Sequence, residues 1–438
     1  MKSLHLNMFG KIKYIAAFIL LGGISAQAQV TTQSPYSRYG LGNIKGSLLP
    51  QFRAMGGIST AVYKPNGYSN INIQNPASYA SIDLTTLDMG MSGGFMELRN
   101  SNGKETSFNS TLSHVAMAFP VVKSKSALSI GILPYSELGY EFSANERYSP
   151  TDTNTYNALY TGEGGLTKAY VGFGQQIGDY FRIGANVEYL FGNLQENGSI
   201  EIQSFPSINN RRQTKNSVGG VSFSYGAQYE IPLSTRKRIT LGYSGSSPSS
   251  INTKRSFLVT QYLRSALGEE QAAFDTLQMV ENNASKLKLP LVHNFGITIQ
   301  KDNNWLIGAD YRMGKWSELS IDGANQGLED SWGFSAGAQI TPDITSIGSY
   351  FERIDYRVGF QYDKTYIRMN DQDIKQMAVT FGFGLPLAKS RSSFYKLNFT
   401  TELGRRGMIS NGLIQENYIN FHLGFTLNDT WFRRFKLD

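Results

Sequence analysis

The chain of 438 residues contains no cysteine. That absence excludes disulfides, thiolate metal sites and a lipid-bearing cysteine behind an export signal. Long apolar runs are missing too. The longest, residues 14–23, is too short to cross a bilayer as a helix, which takes about 20 residues. Charged residues make up only 17% of the chain, and the formal net charge of +7 comes with no concentrated basic patch of the kind nucleic acid requires. Histidine is scarce. His114, His293 and His422 fall in separate segments without companion Ser, Asp or ligand spacing, so neither catalysis nor a metal nor a cofactor is expected.

What the chain does have is glycine, tyrosine and phenylalanine in abundance, at 45, 25 and 26 residues. The closing segment shows how they are used. Ile419, Phe421, Leu423, Phe425 and Leu427 alternate with Asn420, His422, Gly424 and Thr426. Successive side chains of a strand point to opposite faces, so one face here suits hydrocarbon and the other water. The pattern recurs about fourteen times. Met89/Met91/Phe95, Val115/Met117/Phe119, Leu128/Ile130/Ile132 and Met377/Val379/Phe381/Phe383 are examples. The predicted fold is all-β: a 14-stranded antiparallel transmembrane β-barrel over 84–428, with a hatch ahead of it in the lumen. A negative mean hydropathy is consistent, because every second residue faces a wet interior.

Residues 1–28 read as a cleavable Sec-type signal peptide. Lys2, Lys11 and Lys13 are followed by the apolar run and an Ala26-Gln27-Ala28 cleavage site. Removing it takes three lysines and no acid, leaving a net charge of +4. Residues 29–83 show no sustained alternation and are rich in Gly, Asn, Ser and Pro, which suits the hatch. Residues 429–438 form a basic tail expected in the periplasm. Short and long connections alternate, as they do between the two sides of an outer-membrane barrel. The long stretch 252–289 reads as two amphipathic helices over the mouth. Ala273, Leu277, Val280 and Ala284 recur at helical spacing beside Phe274, and they either pack on one another or capture a ligand.

Three groups of residues carry the functional expectation. In the hatch, Gly56-Gly57 and Asn75-Pro76-Ala77-Ser78 are turn formers. In the third strand, Pro134-Tyr135-Ser136 interrupts a ladder to which proline cannot donate. It makes either a shaping bulge or a side window. Facing the lumen, Arg182, Glu188, Asp310, Arg312, Asp355 and Arg357 share the inward parity of their strands, either as structural ion pairs or as a polar path.

Arg53-Ala54-Met55-Gly56-Gly57 and the Asn75-Pro76-Ala77 turn resemble the hatch of the FadL-like outer-membrane transporters. Ser34-Pro35-Tyr36-Ser37-Arg38-Tyr39-Gly40 and Leu427-Asn428-Asp429-Thr430-Trp431-Phe432 resemble the ends of Bacteroidetes members of that group. The resemblance implies passive uptake of a hydrophobic small molecule, of fatty-acid or aromatic-hydrocarbon type. It implies movement of the hatch near Asn75–Ser78 and lateral release into outer-membrane lipid through the third-strand kink. It also admits a PorV-like alternative, a scaffold or binding component of a protein secretion or assembly complex. The chain departs from the usual barrel ending, since Asp438 is not aromatic.

Overall fold

The computed structural model describes residues 34–431 apart from Gly67, Asn102, 148–154, 203–205, Ala266, Gly268 and 388–392. The expected signal peptide and most of the basic tail lie outside the described residues.

Fourteen antiparallel strands close into a barrel. They are β1 Thr85–Arg99, β2 Lys104–Val122, β3 Ser126–Arg147, β4 Thr155–Ile177, β5 Phe181–Ile202, β6 Ser207–Ser234 and β7 Lys237–Ser246. After an excursion through β8 Ser249–Arg264 and β9 Glu270–Leu289 come β10 Val292–Lys301, β11 Trp305–Gly314, β12 Ser331–Ile340, β13 Asp355–Met369, β14 Gln372–Pro386, β15 Phe394–Gly407 and β16 Gln415–Asp429. Each barrel strand pairs with its successor, β7 pairs with β10 across the excursion, and β16 returns to β1 from Gln415↔Arg99 to Asp429↔Thr85. Closure leaves neither the first nor the last strand unpaired in the lipid-facing wall, as a spanning sheet requires.

Burial follows the alternation. Met91, Phe95, Val171, Val187, Ile307, Val358, Val379 and Leu423 are exposed on the outside, while Asp88, Asn186, Thr298, Asp310, Asp355, Asn398 and Thr426 are buried on the inside. The apolar face is therefore outward, the inverse of a soluble barrel.

The strands run past the lipid belt at one end. Residues 143–147, 155–160, 193–202 and 207–216 continue β3 to β6 as paired strand, with β5–β6 pairs out to Ile200↔Asn210. The two helices expected over 252–289 are absent. That stretch is the β8–β9 hairpin, paired from Ser249↔Leu289 to Arg264↔Glu270 with several register shifts, and β8 also pairs with β6. The spacing of Ala273, Leu277 and Val280 misled because bulges interrupt β9. Phe274 and Leu277 each fall at a register shift, which breaks the period of two that marks a strand.

Residues 34–66 and 68–83 pack against inward-facing residues of the strands. They form two short 3-10 helices, Pro35–Arg38 and Pro76–Ser81, and one α-turn, Pro50–Arg53. Their backbone rests on inward glycines of the barrel. A Cβ on Gly337 would lie 2.2 Å from the Met55 carbonyl oxygen, and one on Gly359 would lie 2.0 Å from the Gly56 nitrogen. Gly226 and Gly242 leave the same kind of room for Asn75 and Thr60. Gly337 and Gly359 are direct cross-strand partners, as are Gly184 and Gly226. Paired glycines thus cut backbone-wide troughs into the wall, which accounts for much of the glycine content. Gly359→Val should disrupt this seat and destabilise the protein by about 1–3 kcal/mol, the usual scale of overpacking. Thermal unfolding in detergent and faster proteolysis within 34–83 would report it.

Candidate functional site

Among the described residues, the wall has one place where neighbouring strands part. β2 and β3 pair only from Val115↔Ile132 to Val122↔Ser126. Beyond that, β2 continues to pair with β1 as far as Lys104, and β3 with β4 as far as Arg147. Among the described residues no β2–β3 ladder pair exists past Ile132, so a wedge opens through the outer half of the wall. Pro134 sits where the ladder stops, and Tyr135 is bulged between Pro134↔Thr167 and Ser136↔Leu166. Proline supplies no N–H at this position, and the bulge turns the strand away from its neighbour.

The N-terminal segment covers the freed edge of β3. Asn43–Ile44 pairs antiparallel with it, Asn43 opposite Glu137 and Ile44 opposite Ser136. The Lys45 amide donates to the Tyr135 carbonyl at 3.0 Å, and the Ser34 amide donates to the Gly139 carbonyl at 3.0 Å. Two polar contacts stitch the wedge: Lys45 Nζ to Glu137 Oε2 at 2.5 Å, and Asn109 Nδ2 donating to Glu137 Oε1 at 3.2 Å. Residues 43–48 thus form a strap across the inside of the gap.

Cavities lie on both sides of the strap. One of about 220 Å³ adjoins the gap and is lined by Asn109, His114, Pro134, Glu402 and His422 among others. The second, of about 400 Å³, lies toward the outer rim beside Tyr135, Lys168, Leu190, Arg312 and Trp316. Ile44, Lys45, Leu48 and Arg53 line both cavities, so the strap is the partition. Above the second cavity the interior becomes apolar: Leu41, Leu138, Leu166, Leu190, Trp316 and Leu319 form one buried cluster.

Hydrogen bonds tie the segment to the wall. Asp310 Oδ2 accepts from the backbone amides of Ser59 and Thr60, both at 2.8 Å. Thr380 Oγ1 accepts from the Gly56 amide at 2.8 Å, and Thr400 Oγ1 donates to the Pro50 carbonyl at 2.7 Å. Gly56 and Gly57 have φ of +68° and +85°, a conformation that favours glycine. Asn75 caps the Pro76–Ser81 turn by accepting from the Ala77 amide at 3.1 Å, and its Nδ2 donates to the Thr60 carbonyl at 2.7 Å. Ser78 Oγ closes the turn on the Asn75 carbonyl at 2.8 Å. Asn75–Ser78 lies buried against β4, β5 and β6, and the Pro76–Ser81 turn also reaches β3.

Of the inward charges, Arg182 pairs with Glu230, Glu188 with Lys168 at 3.1 Å, and Arg312 with Asp363 at 2.7 Å. Asp355 and Arg357 pair with each other at 2.7 Å, and Lys396 joins Asp355 at 2.8 Å. Asn66 of the N-terminal segment donates to both oxygens of Asp355. Arg53 donates from Nε to its own segment's Leu48 carbonyl at 3.0 Å. Burial pulls its pKa below the ordinary arginine value, against the opposing pull of Glu402. The Tyr36 phenol, buried beside Glu416, is pushed up to about 12. Ala273, Phe274, Leu277 and Val280 lie on the exposed β9 and line neither cavity.

Several residues at this site escaped the sequence reading. Lys168, Lys396 and Glu402 have the inward parity that selected the other charges, and the same alternation finds them. Asn43–Ile44 offers no such signal, since two residues cannot display a period.

Asp310→Ala strands two buried amides and should cost about 2–4 kcal/mol, with Asp310→Asn costing less because it keeps an acceptor. Hydrogen exchange at Ser59 and Thr60 should accelerate in that order.

The family model for BamG matches residues 8–438. No protein of curated function matches this sequence. Solved structures of similar fold include the toluene transporter TodX of Pseudomonas putida, at 14% identity and TM-score 0.56, covering 90% of this chain and 100% of that one. A FadL homologue of Pseudomonas aeruginosa aligns at 11% identity and TM-score 0.56, with coverage of 90% and 100%. The toluene transporter TbuX of Ralstonia pickettii aligns at 14% and 0.53, with coverage of 88% and 99%. At such identities these likenesses establish the FadL-type barrel fold, whereas the family match spans nearly the whole sequence: the chain belongs to the BamG family.

Proposed function

We propose that this barrel is a passive outer-membrane channel for small hydrophobic compounds, with residues 29–83 as its hatch and the gap between β2 and β3 as its exit. One observation carries the reading: the wall ladder lapses beyond Ile132, and among the described residues the opening is spanned by the 43–48 strap and the Asn109–Glu137 hydrogen bond. A hydrophobic molecule entering at the outer rim meets the apolar cluster around Leu190 and Trp316, then the larger cavity, then the strap. Release of the strap from β3 joins the two cavities and opens the path into lipid. Apolar surface gains about 25 cal/mol per Å² on leaving water, so such a ligand goes sideways into the bilayer and not down into a polar lumen. The likeness to toluene transporters supports an aromatic hydrocarbon as ligand, and an outer membrane of Bacteroidetes type fits the ends of the chain. The gate is assigned to residues 43–48 and not to Asn75–Ser78, because the strap pairs directly with β3 where β2 leaves it, whereas the Asn75 turn seats mainly on β4, β5 and β6.

The absence of native cysteine makes the test clean. Ile44 and Ser136 stand directly opposite in an antiparallel pair, where Cα atoms are about 4.5–5.5 Å apart and within disulfide reach. Ile44→Cys with Ser136→Cys should abolish uptake of radiolabelled toluene when oxidised and restore it on reduction. Full uptake with the disulfide formed would refute the strap as gate.

A second reading, a binding component of a secretion or assembly complex, is favoured by a different region: the outer strand of the β8–β9 hairpin exposes Phe274, Leu277 and Met279.

A further inference from the structure

Beyond the barrel rim, the extensions of β3 to β6 continue into β8 and then β9, making one sheet that ends at β9. On its inner side β9 pairs with β8. On its outer side, pairing is confined to its base, where Leu287 and Lys288 meet Ile321 and Ser320. From Glu270 to Ser285 the outer edge has no strand beside it among the described residues. At about 3.3 Å per residue this free edge is roughly 50 Å long.

Natural edges of that length are usually blunted with lysine or proline. Residues 270–284 contain neither. They carry instead Phe274, Leu277 and Met279 at 53%, 55% and 59% exposure, with Val280 beside them. The bulges at Phe274 and Leu277 fall on two of these apolar residues. The charge on this stretch is of one sign. Glu270 pairs with Arg211 at 2.7 Å, but Asp275 and Glu281 have no ion-pair partner among the described residues, and no basic side chain occurs between 270 and 284.

We infer that the free edge of β9 receives an extended segment of a partner protein, in which apolar residues alternate with lysine or arginine placed to meet Asp275 and Glu281. Strand addition satisfies the open backbone groups, and the apolar side chains fill against Phe274, Leu277 and Met279. The two acids lie about 15–20 Å apart along the strand, which sets the spacing of the partner's cations at about five or six residues. A second copy of this chain is disfavoured, because pairing β9 with itself sets acid against acid. This inference deepens the binding-component reading and is independent of the uptake reading.

The test uses the full-length protein in its own membrane, with a benzophenone amino acid at position 277. Photo-crosslinking should join it to an extended, basic segment of one partner, located by mass spectrometry of the crosslinked peptides. Asp275→Lys with Glu281→Lys should lower the yield about tenfold, as expected for two lost charge pairs near 0.7 kcal/mol each. Reversing the partner's cations should restore it. Both acids are exposed, so an unchanged heat-modifiable gel shift would show that the barrel still folds. Crosslinks to a second copy, to lipid or to an acidic segment would overturn the inference. So would no crosslink at all, or a yield indifferent to charge reversal. If they fail while a partner still binds elsewhere, the binding-component reading survives and the β9 edge does not.

Discussion

Inside a bilayer an unpaired backbone amide has no water to turn to, and each such group costs several kcal/mol. The rest of this molecule follows from that constraint. It forces the strands into a closed ring, sends Met91, Val187 and Leu423 outward, and leaves Asp88, Asp310 and Asp355 to find partners within. The wedge between β2 and β3 is where the ring departs from this rule, and the chain answers locally: Asn43–Ile44, the Lys45 amide and the Ser34 amide take up groups that β2 leaves unpaired. A lateral opening in such a wall can exist only where something else satisfies the strand edge while it is shut. The strap therefore fills the strand edge as structure, and in the proposed uptake route it is also the element whose displacement defines an open state.

The interior charges belong to the same logic. Glu188 and Asp355 each have a cation within hydrogen-bonding range, and Asp88 accepts from Gln51 and Thr426. Asp310 differs from the others because its partners are the amides of Ser59 and Thr60. The wall thus grips the N-terminal segment by its backbone, at Asp310, Thr380 and Thr400, and receives it in glycine-lined troughs. Such a seat depends on shape more than on which side chains the segment carries.

Much of this was legible in the sequence, for a definite reason. A period of two sustained over whole strands is hard to imitate, so Met377/Val379/Phe381/Phe383 and its like located the wall, and the same parity placed Arg182, Glu188 and Asp355 inside. Pro134 was legible as a break because proline has no amide to give. Where the period fails, reading fails. Bulges in β9 shifted Leu277 and Val280 into a helix-like spacing, and the hairpin read as helices. The strap pairs through only two residues, too few to carry a pattern, so the gap's cover was invisible. Paired glycines such as Gly337 and Gly359 counted toward composition, but their role depends on a register that only the folded chain provides.

The return of β16 to β1 has a consequence for how the molecule is made. Gln415 must find Arg99 across most of the chain, and long-range pairings of this kind form slowly. In the proposed hatch role, residues 34–66 and 68–83 must by then already lie within the curl of the growing sheet, since they touch strands from β1 to β16 and a sealed cylinder offers them no way in. The seam between first and last strand is accordingly a one-way door in biogenesis: whatever helps this protein fold must hold it ajar until the amino-terminal stretch has been swallowed.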